Sequence, residues 1–366
     1  MRLVYLSPVP WASFAQRPHK FVEWFHKRSG EEVLWVDPYP TRFPAFSDFK
    51  RLHSPTLQAV YEHPSWLQIV KPTAVPLEPL PGSGWLNALM WRQVFMQLDT
   101  FVNRHAALVV IGKPSVLALA TLKRFQWGRS IYDAMDDFPA FYEGLSRVAI
   151  RRREEQLARR VSVIWASSTA LRCRWNGLRL DVQLVHNGLD TSSLPPPKQD
   201  LAIKRNKVFG YVGTIGDWFD WEWVIKLARI RPADVVRLVG PVFRAAPATL
   251  PKNIELSPPC EHELALKAMR DFDVGLIPFK INELSASVDP IKYYEYRALG
   301  LPIISTNFGE MRFRGNEVGT FISKNLEDIE NMILPALLFK QDPAFARQFA
   351  MDNSWESRFD GVKIFS

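Results

Sequence analysis

Two series of short apolar runs, each alternating with longer helical patterns, are separated by three consecutive prolines, Pro195-Pro196-Pro197. Proline fixes φ and lacks a backbone N–H, so this stretch joins neither a helix nor a central strand. It therefore reads as a linker, with a polar run reaching Asn206. Apolar, β-branched-rich runs of four or five residues between helical patterns are the signature of parallel α/β units buried on both faces. The fold class expected is α/β, with two tandem Rossmann-like domains and a ligand cleft between the carboxyl edges of their strands.

The strands expected before the break are 3–7, 32–36, 67–70, 107–111, 130–132, 162–166 and 182–185. Helices are expected at 17–27, 85–103, 115–124, 141–160 and 169–175. After the break the strands are 208–212, 235–239, 254–256, 274–277, 302–305 and 320–323. The helices there are 221–230, 261–269, 291–299 and 326–339. The domains are then 1–190, a linker 191–206, a second domain 207–350, and a terminal helix in 351–366 that packs back on the first domain.

A hydrophobic content of 47% excludes a disordered chain. Two cysteines, Cys173 and Cys260, exclude a disulfide scaffold and fit a reducing compartment. No apolar run is long enough to span a membrane, and the N-terminus turns polar too soon for a signal peptide.

The most specific stretch runs from Asp289-Pro290 to Ser305. Asp and Pro suit the start of a helix, while Gly300 and Pro302 end it. Lys292 and Glu295 share one face near its N-terminal end. A lysine at a helix N-terminus suits a phosphate, and a carboxylate one turn deeper suits a ribose diol. The same pattern fits a capped surface helix with an i, i+3 ion pair. Gly210-Tyr211-Val212-Gly213-Thr214 is a strand entering a turn where backbone can approach a ligand closely. At 131–138, Asp133, Asp136 and Asp137 crowd one strand end, where like charges repel unless solvated, paired or used. They can equally cap the next helix.

The stretch 289–305 resembles the donor-site helix of nucleotide-sugar glycosyltransferases of the GT-B fold. Glu295, Ala298, Gly300 and Pro302 match the second half of the motif of the retaining family 4 enzymes. The first Glu of that motif falls at Ser287, so the chain departs there. Lys292, three before the ribose-contacting residue, is similar to the inverting glucuronosyltransferase of xanthan assembly, where such a Lys contacts the diphosphate. The resemblance implies that Gly213, Thr214, Lys292, Glu295 and Arg244 bind the nucleotide-sugar. It implies Asp136 as the catalytic base that deprotonates the acceptor, with Asp137 as the fallback and Asp133 orienting or capping. Gln16, Arg17 and His19 match a string found in bacterial polysaccharide glycosyltransferases and are expected to touch the acceptor or the donor sugar. Asn187-Gly188 matches the turn that ends the first domain.

The implied activity is transfer of a sugar from a nucleoside-diphosphate sugar, with uridine as the expected base, to a lipid-linked or oligosaccharide acceptor in bacterial polysaccharide biosynthesis. Inversion, a metal-independent hexosyl or glucuronosyl transfer and no cofactor beyond the donor are expected. A retaining family 4-type transferase, a nucleotide-sugar 2-epimerase and a non-catalytic sugar-nucleotide binder are the alternatives.

Charge adds a partner. Residues 1–190 hold 24 basic and 16 acidic side chains, and residues 191–366 hold 22 of each. Part of the excess lies at Arg147, Arg151, Arg152, Arg153, Arg159, Arg160, Arg172, Arg174 and Arg179. An aromatic, apolar helix containing Trp85, Leu86, Leu89, Met90 and Trp91 accompanies them. A solvated basic face beside a core helix fits this pattern. A shallow membrane patch on anionic lipid fits it too and is the reading taken, placing the protein in the cytoplasm, peripheral on the inner membrane face. No nucleic-acid module is present, and nucleic acid is not expected as a partner.

Overall fold

The computed structural model describes residues 1–41, 63–75, 78, 83–103, 105–125, 128–179, 181–198 and 206–365. The chain divides into two compact units, Met1–Val185 and His186–Ser366.

In the first unit, a seven-stranded sheet has the order β3-β2-β1-β4-β5-β6-β7. Its strands are β1 (Arg2–Leu6), β2 (Val33–Val36), β3 (Leu67–Val70), β4 (Ala107–Ile111), β5 (Arg129–Ala134), β6 (Val163–Ala166) and β7 (Val182–Leu184). Every pairing is parallel. The helices are α1 (Arg17–Ser29), α2 (Ser83–Met90), α3 (Arg92–Val102), α4 (Val116–Arg124), α5 (Gly144–Ala158) and α6 (Thr169–Asn176). All five residues of β4 are buried, as expected of a central parallel strand covered on both faces. Strand order reverses between β1 and β4, and such a switch point places ligands at the carboxyl edge.

The second unit repeats the plan with the order β10-β9-β8-β11-β12-β13. These are β8 (Val208–Val212), β9 (Val235–Val239), β10 (Ile254–Ser257), β11 (Val274–Ile277), β12 (Ile303–Thr306) and β13 (Thr320–Ser323), again all parallel. Its helices are α7 (Trp221–Ile230), α8 (His262–Arg270), α9 (Ile291–Ala298), α10 (Asp328–Leu338), α11 (Pro343–Asp352) and α12 (Trp355–Asp360). Every strand expected from sequence is found, with ends moved by two residues at most.

Three local expectations are corrected. The helix expected at 85–103 is broken at Trp91, whose indole is buried and donates to the Thr73 carbonyl. Helix α11 was not foreseen; Asp342 caps it by accepting from Ala344 N, and Pro343 opens it. Asp289 does not cap α9, because it serves a buried network instead. Of the expected linker, residues 199–205 lie outside the described residues, while Lys198 bonds Leu299 and Asp273. Helix α12 is capped by Ser354, and Trp355 stacks on Phe359. The helix bonds Asn187 and Leu189, which the expectation put in the first domain and the contacts group with the second unit.

Candidate active site

In the second unit, the carboxyl end of β8 turns at Gly213, whose φ of 149° lies outside the range side chains prefer. A Cβ there would lie 2.9 Å from the Tyr211 hydroxyl and 3.7 Å from Lys292 Cε. The turn and the first part of α9 are therefore neighbours. Gly240, after β9 at φ 141°, presses on the same turn, since a Cβ on it would sit 2.2 Å from the Gly213 carbonyl oxygen. Tyr211 secures the next residue by donating to the Thr214 carbonyl at 2.9 Å. On α9, Lys292 Nζ lies 2.6 Å from Glu295 Oε2, and the glutamate is buried while the lysine head keeps access to solvent. Glycine turn, ammonium and buried carboxylate thus lie at the carboxyl edge of one parallel sheet, where a helix N-terminus also offers donors to phosphate.

What holds the start of α9 is Asp289. Its buried carboxylate meets Arg314 Nη2 at 2.6 Å and accepts from Asn187 N at 2.8 Å and Tyr294 Oη at 2.9 Å. His186 Nδ1 lies 3.5 Å away, and His186 Nε2 lies 3.6 Å from Glu310 Oε1. Burial alone would raise the Asp289 carboxyl, but Arg314, His186 and Asn187 overcome it and hold it below the usual carboxylate range. Arg314 also packs over the Tyr293 and Tyr294 rings. The turn at Asn187-Gly188 thereby fixes the start of α9; a Cβ on Gly188 would lie 3.0 Å from Trp355 N.

In the first unit, the aspartate cluster follows β5. Asp133 is buried and bonded to Arg17, with Nη2 to Oδ1 at 2.8 Å and Nε to Oδ1 and Oδ2 at 3.0 and 3.1 Å. Arg17 Nη1 donates to the Val185 carbonyl at 2.8 Å. Asp137 pairs with Arg174 at 2.6 Å, and Arg174 reaches buried Glu154 at 2.5 Å. Tyr132 donates to the same Glu154 at 2.6 Å. Between these paired neighbours stands Asp136, half-buried. Burial lifts its carboxyl to about 7; Arg17 opposes this, and Asp133 and Asp137 add to it. A partly accessible carboxyl that ionises near neutrality meets the chemical requirement of a general base.

The remaining predicted residues are placed differently. Arg17 is turned inward onto Asp133. His19 is buried between Trp11 and Trp35, accepts from Gln16 N at 3.2 Å and meets the Trp11 carbonyl at 3.1 Å. Burial lowers its pKa, so it is neutral at pH 7. Arg244 pairs with Asp217 at 2.7 Å, both well exposed, and its N–H donates to the Ile215 carbonyl beside the Gly213 turn. Among the described residues, no cluster of three or more His, Cys, Asp or Glu side chains is arranged to hold a metal ion.

Solved structures of the same plan fix the architecture. Sucrose-phosphate synthase from Thermosynechococcus elongatus superposes with a TM-score of 0.67 at 15% identity, covering 99% of this chain and 94% of its own. HepE of Anabaena in complex with UDP-glucose gives 0.65 at 13% identity, over 99% and 98%. The lipopolysaccharide outer core galactosyltransferase WaaB gives 0.64 at 10%, over 99% of both chains.

The chain has the GT-B fold.

Among curated proteins it is similar to TuaH of Bacillus subtilis strain 168, named as a candidate teichuronic acid biosynthesis glycosyltransferase, with 25% identity over 204 residues. That match covers 50% of this chain and 51% of TuaH, so the chain spans about half the length of this curated relative. No family model matches.

In this GT-B chain, the structure brings Gly213, Thr214, Lys292 and Glu295, which the resemblance named together, to one sheet edge. Sequence reasoning missed the second layer, Asp289, Arg314, His186 and Glu310. The one available signal was Asp289 itself, read as a cap.

Proposed function

We propose that this GT-B chain transfers a sugar from a UDP-sugar to a lipid-linked or oligosaccharide acceptor in bacterial polysaccharide assembly. The observation that carries the reading is the Lys292–Glu295 pair beside the Gly213 turn. The two glycosyltransferase names among its relatives and the UDP-glucose bound to HepE support it.

Glu295 accepts hydrogen bonds from the ribose hydroxyls, and Lys292 exchanges its carboxylate partner for the diphosphate. Asp136, ionised above about pH 7, takes the acceptor hydroxyl proton. The acceptor oxygen attacks the anomeric carbon as its bond to the diphosphate oxygen breaks, inverting the centre. UDP leaves with negative charge that Lys292 stabilises as it develops. Because Lys292 supplies that charge, the reading needs no metal, and transfer persists in EDTA.

The test supplies a panel of UDP-hexoses and UDP-glucuronate with and without a lipid-linked glycan acceptor, following UDP release and the product anomer by NMR. Acceptor-dependent UDP release with inversion is expected. Donor turnover without acceptor would point to an epimerase instead, and a retained anomer would remove Asp136 from the base role.

A further inference from the structure

Asp136 stands on a loop whose neighbours are held one by one. Strand β5 ends at Ala134, which is paired with Ala166, the last residue of β6. The ladder runs one step further, because Ser167 N donates to the Ala134 carbonyl at 3.1 Å. The next carbonyl, that of Met135, is taken by a side chain: the Ser167 hydroxyl donates to it at 2.8 Å. Ser167 is fully buried, so water does not compete for that bond. Ser168 then caps α6, accepting from Leu171 N at 3.3 Å.

The same segment reaches the far side of Asp136. Arg174 of α6 pairs with Asp137 at 2.6 Å, and the Asp137 carbonyl accepts from Ala140 N at 2.9 Å. On the near side, the Asp133 carbonyl accepts from Met135 N at 2.9 Å, and its carboxylate is fixed by Arg17. Residues 133, 134, 135 and 137 are thus anchored, while the Asp136 carboxyl takes no hydrogen bond from the described residues. A carboxyl with no bond of its own is placed by its backbone. The Met135 carbonyl and the Asp136 N–H belong to one planar peptide unit. The Ser167 hydroxyl therefore fixes the plane from which the Asp136 side chain departs.

We propose that Ser167 is a positioning residue for the Asp136 base: its hydroxyl locks the peptide plane ahead of Asp136 and holds the carboxylate at the acceptor hydroxyl without touching substrate. The inference rests on the proposed role of Asp136. Proton transfer needs the two oxygens within hydrogen-bond reach, and a displacement of about 1 Å costs about 100-fold in rate.

The experiment is a double-mutant cycle on the full chain, with Ser167→Ala, Asp136→Asn and the two together. UDP release is followed from UDP-glucose and UDP-glucuronate with octyl β-glucoside as acceptor. Thermal melts and UDP affinity are recorded on the same samples. Alanine is smaller than serine, so the Ser167→Ala chain is expected to fold and to bind UDP like the parent. Its kcat should fall by about 10- to 100-fold. The acid limb of its pH profile should stay at about pH 7, because Arg17, Asp133 and Asp137, which face Asp136, and Arg174 behind Asp137 are unchanged. In the Asp136→Asn background the same substitution should cost nothing further, since no base is left to place. Equal losses in both backgrounds would mark Ser167 as merely structural and overturn the proposal. So would a Ser167→Ala chain with the parent's kcat beside an inactive Asp136→Asn chain. An Asp136→Asn chain as active as the parent, or a parent that releases no UDP, would overturn the base reading and this inference with it.

Discussion

Arg17 and Asp133, 116 residues apart, form a buried, doubly hydrogen-bonded ion pair at the carboxyl edge of the first sheet. Removing one partner strands a charge in a dry environment, which costs about 3–5 kcal/mol. Arg17→Met is therefore expected to lower the unfolding free energy measured by urea titration by an amount in that range. Adding Asp133→Leu to the same chain should recover most of the loss, because no charge then remains unpaired. A double variant as unstable as the single would contradict this account of the pair.

The Asp136 carboxyl, raised to about 7 by burial, sets a pH dependence of opposite sign for activity and stability. As a base it works only when ionised, so kcat/KM should rise through about pH 7 and level above it. Asp136→Asn should reduce kcat by about 100- to 10,000-fold. For stability, a folded-state pKa above the unfolded value near 3.9 favours the protonated folded chain. Its contribution is full below about pH 4 and declines as pH rises to about 7. Differential scanning at pH 8 should accordingly find Asp136→Asn more stable than the parent, with the difference vanishing near pH 4.

Gly240 and Gly213 are in backbone contact, and both have φ values that side chains rarely adopt. Gly240→Ala sets a methyl against a carbonyl with no flexible group to give way. A loss of about 1–3 kcal/mol is expected. The displaced Gly213 turn should also lower UDP affinity, read by calorimetry.

The parallel sheets were legible in sequence because buried parallel strands are continuous apolar runs, such as Ala107–Ile111 and Val274–Ile277. The helix break at Trp91 was not, because an apolar pattern cannot say which half is buried. Trp91 and Val94 enter the core while Trp85 and Leu89 face solvent. Two Asp-Pro pairs carry the same local signal with different outcomes. Asp342 caps α11, whereas Asp289 is claimed by Arg314 and Asn187, from 25 and 102 residues away. In the site, Lys292 and Glu295 were readable because their pairing is local, at i and i+3. The pairing of Arg17 with Asp133 was not readable, because the two are distant in sequence and no local pattern reveals such a contact.

The central claim is that Lys292 holds the diphosphate of a UDP-linked donor. Lys292→Gln removes the charge while keeping a donor for buried Glu295, which confines the change to the phosphate. Isothermal titration of UDP into parent and variant tests it most directly. Hydrogen bonds to charged groups are worth about 1.5–3 kcal/mol, so the variant should bind about 10- to 100-fold more weakly than the parent. A parent that does not bind UDP, or a Lys292→Gln chain that binds it equally well, would contradict the account.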